Sequence, residues 1–98
     1  MKAQVVNPEK EFEVSRRAQA VIFSRRPSIY DFLAVIKDAP WIQAFFVCGS
    51  YCNSMSKNIQ TLCDLSNVKL VRKTSLQGKK NHLDGSLVDV EIKGDAKQ

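Results

Sequence analysis

The run Ile42-Gln43-Ala44-Phe45-Phe46-Val47-Cys48 constrains the fold more than any other stretch of this chain. It is too short to be a core helix and too apolar to have a solvated face. Aromatic and branched residues dominate it, which marks a buried strand. A second apolar run, Ala20-Val21-Ile22-Phe23, closes a segment from Phe12 to Phe23 that reads as a strand. Between the two runs, Ile29, Phe32, Leu33 and Ile36 recur at i, i+3, i+4 and i+7, one apolar face of a helix over Ser28 to Lys37. Pro27 stands at its expected first position and Pro40 stops it.

The alternation continues downstream. Gly49-Ser50 turns the chain into a second helix, where Cys52, Met55, Ile59, Leu62 and Cys63 share a face, and Ser66-Asn67 ends it. Val68 to Ser75 reads as a strand with Val68 and Leu70 on one face and Lys69, Val71 and Lys73 on the other. A polar loop follows from Gln77 to Gly85. The last strand is Ser86 to Lys93, with Val88, Val90 and Ile92 opposite Leu87, Asp89 and Glu91. The predicted fold class is therefore α/β, an α+β sandwich in the order β-α-β-α-β-β. A four-stranded mixed sheet carries both helices on one face, and the last two strands form an antiparallel hairpin. Residues 1–11 lack sustained periodicity, contain Pro8, and read as a flexible tail before a single domain over residues 12–95.

Ninety-eight residues support one core, and a hydrophobic fraction of 44% is enough to fill it. No apolar run approaches the roughly 20 residues that span a bilayer. The polar N-terminus does not resemble a signal peptide, so an intracellular setting, cytoplasm or nucleus, is expected. Three cysteines at irregular spacing fit reduced thiols. Cys48, Cys52, Cys63 and His82 do not match zinc-ligand spacing, and Cys52 and Cys63 fall on a core stripe, so neither a metal nor a cofactor is expected.

Charge is segregated within a net +5. From Val14 to Tyr30 the chain has Arg16, Arg17, Arg25 and Arg26 and no acid. From Leu65 to Leu83 it has Lys69, Arg72, Lys73, Lys79 and Lys80, again without an acid. Such a distribution suits a polyanion. Ser24-Arg25-Arg26-Pro27 is the focal point, because two guanidiniums at a strand-to-helix turn can hold phosphate beside a helix N-terminus. Tyr30 and Tyr51 are expected to pack at the core edge, and Trp41 in the core or at a dimer contact.

The stretch Ser24-Arg25-Arg26-Pro27-Ser28-Ile29-Tyr30-Asp31-Phe32-Leu33-Ala34-Val35-Ile36, with Phe45-Phe46-Val47-Cys48-Gly49-Ser50 and the closing alternation of Ser86 to Ile92, resembles the Alba family of small basic nucleic-acid-binding proteins. The second helix departs from that pattern, since Tyr51-Cys52-Asn53-Ser54 lacks a basic residue and Lys57 comes late. The resemblance implies a homodimer, or a heterodimer with a paralogue, that binds RNA or DNA. It implies that Arg25 and Arg26 hold phosphates near the dimer centre. A hairpin arm with Lys79, Lys80, Arg72 and Lys73 would grip the backbone, with Arg17 and His82 as further contacts.

The expected function is largely sequence-independent backbone binding to RNA or DNA. The alternatives are a chromatin-architectural DNA binder and a protein-interaction subunit of a ribonucleoprotein. An enzyme is not expected. Gly49-Ser50 after a strand is similar to a nucleotidyltransferase start, but Asp64 has no acidic neighbour to share a magnesium ion. A kink-turn-binding ribosomal type lacks its Asn-Glu motif here.

Overall fold

A computed structural model of the chain describes residues 1–47, 57–72 and 85–90. Their elements are β1 (Lys2–Val6), β2 (Ala20–Phe23), α1 (Ile29–Asp38), β3 (Ala44–Val47), α2 (Lys57–Leu65), β4 (Lys69–Arg72) and β5 (Leu87–Asp89). The strands form one five-stranded mixed sheet in the order β4-β3-β2-β1-β5. Neighbours from β1 to β4 are parallel, and β5 runs antiparallel to β1.

The α+β class, the mixed sheet and the two helices on one face agree with the sequence. Strand number and order do not. The segment read as a flexible tail is β1, an interior strand hydrogen-bonded to β2 on one side and β5 on the other. Its residues alternate as a two-faced strand should: Ala3 and Val5 enter one apolar cluster and Val6 the other. Of the predicted strand from Phe12 to Phe23, only Ala20–Phe23 is extended in the sheet. Among the described residues, the last two strands do not pair as the predicted hairpin, for a topological reason. β4 and β5 lie on opposite edges with three strands between them, about 19 Å apart at ordinary strand spacing.

The chain steps from β1 to β4 in one direction across the sheet. Right-handed crossovers that all step the same way stay on one face. Accordingly, Phe32 and Val35 of α1, Ile59 and Cys63 of α2, and Phe12 and Val14 of the β1–β2 connection share a single cluster with Val21, Phe23, Phe45 and Val47. Phe23, Phe32 and Phe45 are its centre. Phe32 meets the other two edge-on at centroid distances of 5.0 and 4.8 Å, and Phe23 stacks on Phe45 at 5.7 Å. On the opposite face Ala3, Val5, Ala20, Ile22, Ala44 and Phe46 form a second buried cluster. That two-sided burial explains why β2 and β3 read as unbroken apolar runs.

The β1–β2 crossover contains no helix, and a buried side chain of β1 ties its middle to the sheet. Buried Gln4 donates through Nε2 to the Glu13 carbonyl at 2.6 Å, and its Oε1 accepts from the Ser15 N–H at 2.7 Å. Helix α2 ends as predicted, with Asn67 in the left-handed region (φ 62°) and the Val68 N–H donating to the Cys63 carbonyl at 2.9 Å. Gly85 turns the chain into β5 at φ +86°, where a side chain would be strained.

Candidate nucleic-acid interface

Strands β1 to β4 all end on the same side of the sheet, the side where ligands gather in parallel α/β sheets. Arg25 and Arg26 follow the end of β2 there, and both are exposed. Their turn is anchored from behind. The Ser24 N–H and hydroxyl both donate to the Val6 carbonyl, at 2.9 and 3.1 Å, tying the turn to the end of β1. Pro27 is buried beneath it. Rigid backbone under two exposed guanidiniums lowers the entropy cost of ordering them on an anion.

The sequence predicts the proline at the first helical position, and it lies two positions ahead of that residue. Ser28 is the N-cap of α1, so Pro27 precedes the cap and is not the first helical residue. The helix N-terminus is also already served by an internal anion. The Asp31 carboxylate accepts from the Ser28 N–H at 2.7 Å and from its hydroxyl at 3.1 Å. A carboxylate in the first turn stabilises the helix but opposes a phosphate at the same pole. The arginines, and not the helix end, are what this turn offers an anion.

Arg72 closes β4 on the same side. It pairs with Val47 of β3, which extends the level of Ile22 and Phe46, so its backbone lies two strand spacings, about 10 Å, from the end of β2. Exposed Lys57 opens α2, which runs back from this side toward the start of β4. Exposed Glu9 and Glu11 lie in the connection that leaves β1, so the basic part of this end is centred on β2 to β4. Lys73, Lys79, Lys80 and His82 lie outside the described residues. The described strands that flank those residues, β4 and β5, are not neighbours in the sheet.

Arg17 does not join this surface. It lies in the turn before β2, at the opposite end of that strand from Arg25 and Arg26. Its neighbour Arg16 lies over the Trp41 ring, 5.0 Å from the centroid, while the indole Nε1–H donates to the Ala18 carbonyl at 3.0 Å. Two sequence expectations for aromatic and apolar side chains also change. Tyr30 is 76% exposed and does not pack at the core edge, and Leu33 is 43% exposed. The face α1 buries runs through Phe32 and Val35, rotated from the predicted stripe, because Leu33 stands about 100° around the helix from Phe32.

Cys63 is fully buried on α2, as its stripe position predicts. Burial first, and then the neighbouring Asp64 charge, push its thiol up to about 11, which favours the neutral thiol at neutral pH. Among the described residues no group of His, Cys, Asp or Glu could hold a metal ion. None of their helices is long and apolar enough to cross a membrane.

A family model described as the N-terminal domain of DUF1699, a family of unknown function, matches residues 2–84. The chain belongs to that DUF1699 family. The match replaces the resemblance to Alba proteins, and the strand order of this DUF1699 domain supplies the physical reason. The Ser-Arg-Arg-Pro turn and the apolar helix after it are local features that different sheet topologies can share. The match begins at β1, the strand the Alba reading left out. No curated protein and no solved structure matches the chain. The implied dimer, with Arg25 and Arg26 at its centre, loses its basis along with that resemblance.

Gln4 is the residue whose role sequence reasoning missed. The available signal was Lys2-Ala3-Gln4-Val5-Val6, a short alternating run ahead of Asn7-Pro8.

Proposed function

We propose that this domain binds nucleic-acid backbones through the carboxyl end of its parallel sheet, with Arg25 and Arg26 as the principal phosphate contacts. The observation that carries the reading is the pair of exposed guanidiniums on a turn anchored by Ser24 and Pro27. Lys57, exposed at the start of α2, extends the basic character of the same end. Support also comes from the net charge of +5, whose acid-free stretches include that turn.

Guanidiniums contact phosphate oxygens in pairs and release counterions, which gives salt-dependent affinity with little sequence preference. The described elements include no helix projecting from the domain in the manner that reads base edges in a major groove, since both pack on the sheet.

The test is a salt titration against single-stranded RNA, duplex RNA and duplex DNA. Arg25→Glu with Arg26→Glu should weaken binding by on the order of 100-fold near 0.1 M salt and flatten the salt slope by about two. Both positions are exposed, so the thermal transition should stay in place. Unchanged affinity in the double variant overturns the reading.

A further inference from the structure

The fold leaves one aromatic ring outside. Tyr30 is 76% exposed, whereas every other described aromatic side chain is buried or half-buried. It stands in the first turn of α1, four residues past Arg26. Leu33, Ala34 and Lys37 follow at i+3, i+4 and i+7, and all three are exposed. At about 100° per residue these four side chains share one arc of the helix, opposite buried Phe32 and Val35, and run about 10 Å along it. The result is an aromatic and apolar stripe that starts next to the arginine turn and ends in a cation.

The stripe is set on fixed backbone. Ser28 and Asp31, on either side of Tyr30, are joined by the capping bonds of 2.7 and 3.1 Å. A tyrosine side chain has only two rotatable bonds to order, so holding a ligand on its ring costs little entropy. The nearby acids do not lie on the arc. Asp31 stands about 100° around the helix from Tyr30 and is engaged at the cap. Asp38 stands about 100° around from Lys37, toward the β1–β2 crossover.

We infer that the nucleic acid held at the arginine turn is single-stranded, with one base stacked on the Tyr30 ring, the next nucleotide over Leu33 and Ala34, and phosphates at Arg25, Arg26 and Lys37. The inference rests on the phosphate-binding reading of that turn and adds the class of substrate. In a duplex the bases are paired and stacked on one another, so a side chain on the outer face of this helix meets only sugar and phosphate. A single strand offers a free face on each base, and stacking on an aromatic ring adds affinity with little regard to base identity. Cations at both ends of the stripe complement the phosphates that flank a stacked base, which an apolar protein partner would not supply.

The test measures binding of the full chain by fluorescence anisotropy at one salt concentration. The probes are a single-stranded oligonucleotide, its duplex, and a strand of equal length made of abasic residues. Tyr30→Ala should weaken binding of the single strand about tenfold and leave the duplex, the abasic strand and the salt slope unchanged. Tyr30→Phe should keep the wild-type affinity. The position is exposed and alanine favours helix, so the thermal transition should hold. Undiminished single-strand binding by Tyr30→Ala overturns the inference, as does an equal loss on the abasic strand. A wild-type dimer that Tyr30→Ala dissociates would make the stripe a contact between copies and overturns it too. Failure of the parent reading looks different: Arg25→Glu with Arg26→Glu would then bind all three probes as tightly as wild type.

Discussion

At the residue scale, the most consequential side chain is Gln4. Its amide satisfies a carbonyl and an N–H of a crossover that has no helix to satisfy them internally. Gln4→Leu keeps the size and removes both bonds, leaving the Glu13 carbonyl and Ser15 N–H unpaired in a part-buried setting. A loss of about 2–3 kcal/mol is expected, read from the urea midpoint at constant slope. Nothing in the sequence marked Gln4 beyond its place in a short alternating run. The partners of its amide lie nine and eleven residues away, and local pattern carries no information about them.

At the element scale, α1 ties the arginine turn to the sheet core. Its start follows the arginine turn and its end carries Asp38. The helix was legible from Ile29, Phe32 and Ile36, and its position on the sheet was not. Phe32 enters the aromatic cluster of Phe23 and Phe45 while Leu33 remains 43% exposed. Phe32→Ala should cost about 3–5 kcal/mol, whereas Leu33→Ala should change stability by less than about 0.5 kcal/mol. Thermal or urea unfolding of the two variants checks the contrast. Similar losses at both positions would mean that the predicted stripe, and not the rotated one, faces the sheet. The rotation follows from geometry. A helix packed on a twisted sheet presents the row that fits between two strands, and its most hydrophobic arc need not coincide with that row.

At the scale of the whole molecule, β1 decides the architecture. It separates β2 from β5 and holds both, and its terminal amine donates to the Val90 carbonyl at 3.0 Å. Lys2 and Asp89 pair at 3.1 Å across the exposed rim, an ion pair that contributes little beyond register. Removal of residues 1–6 should abolish the cooperative thermal transition, followed by circular dichroism. A tail would be removed without effect. The same deletion would uncover the backbone groups of β2 and leave β5 without a partner, so loss of solubility should accompany it.

The sequence by itself determined the local elements and the strong charge asymmetry. Unbroken apolar runs gave β2 and β3, the 3.6-residue period gave α1 and α2, Asn67 marked a helix end, and alternation at Val68 to Val71 and at Leu87 to Val90 gave the faces of the edge strands. Each of these depends on residues within one or two turns of each other. Only the tertiary structure decided which strands are neighbours. That choice placed Lys2–Val6 inside the sheet, sent β4 and β5 to opposite edges, and put Arg17 at the far end of β2 from Arg25 and Arg26. Strand pairing is a non-local hydrogen-bond decision, made by the burial of both sheet faces at once, and a strand of five residues carries too little pattern to announce its partners.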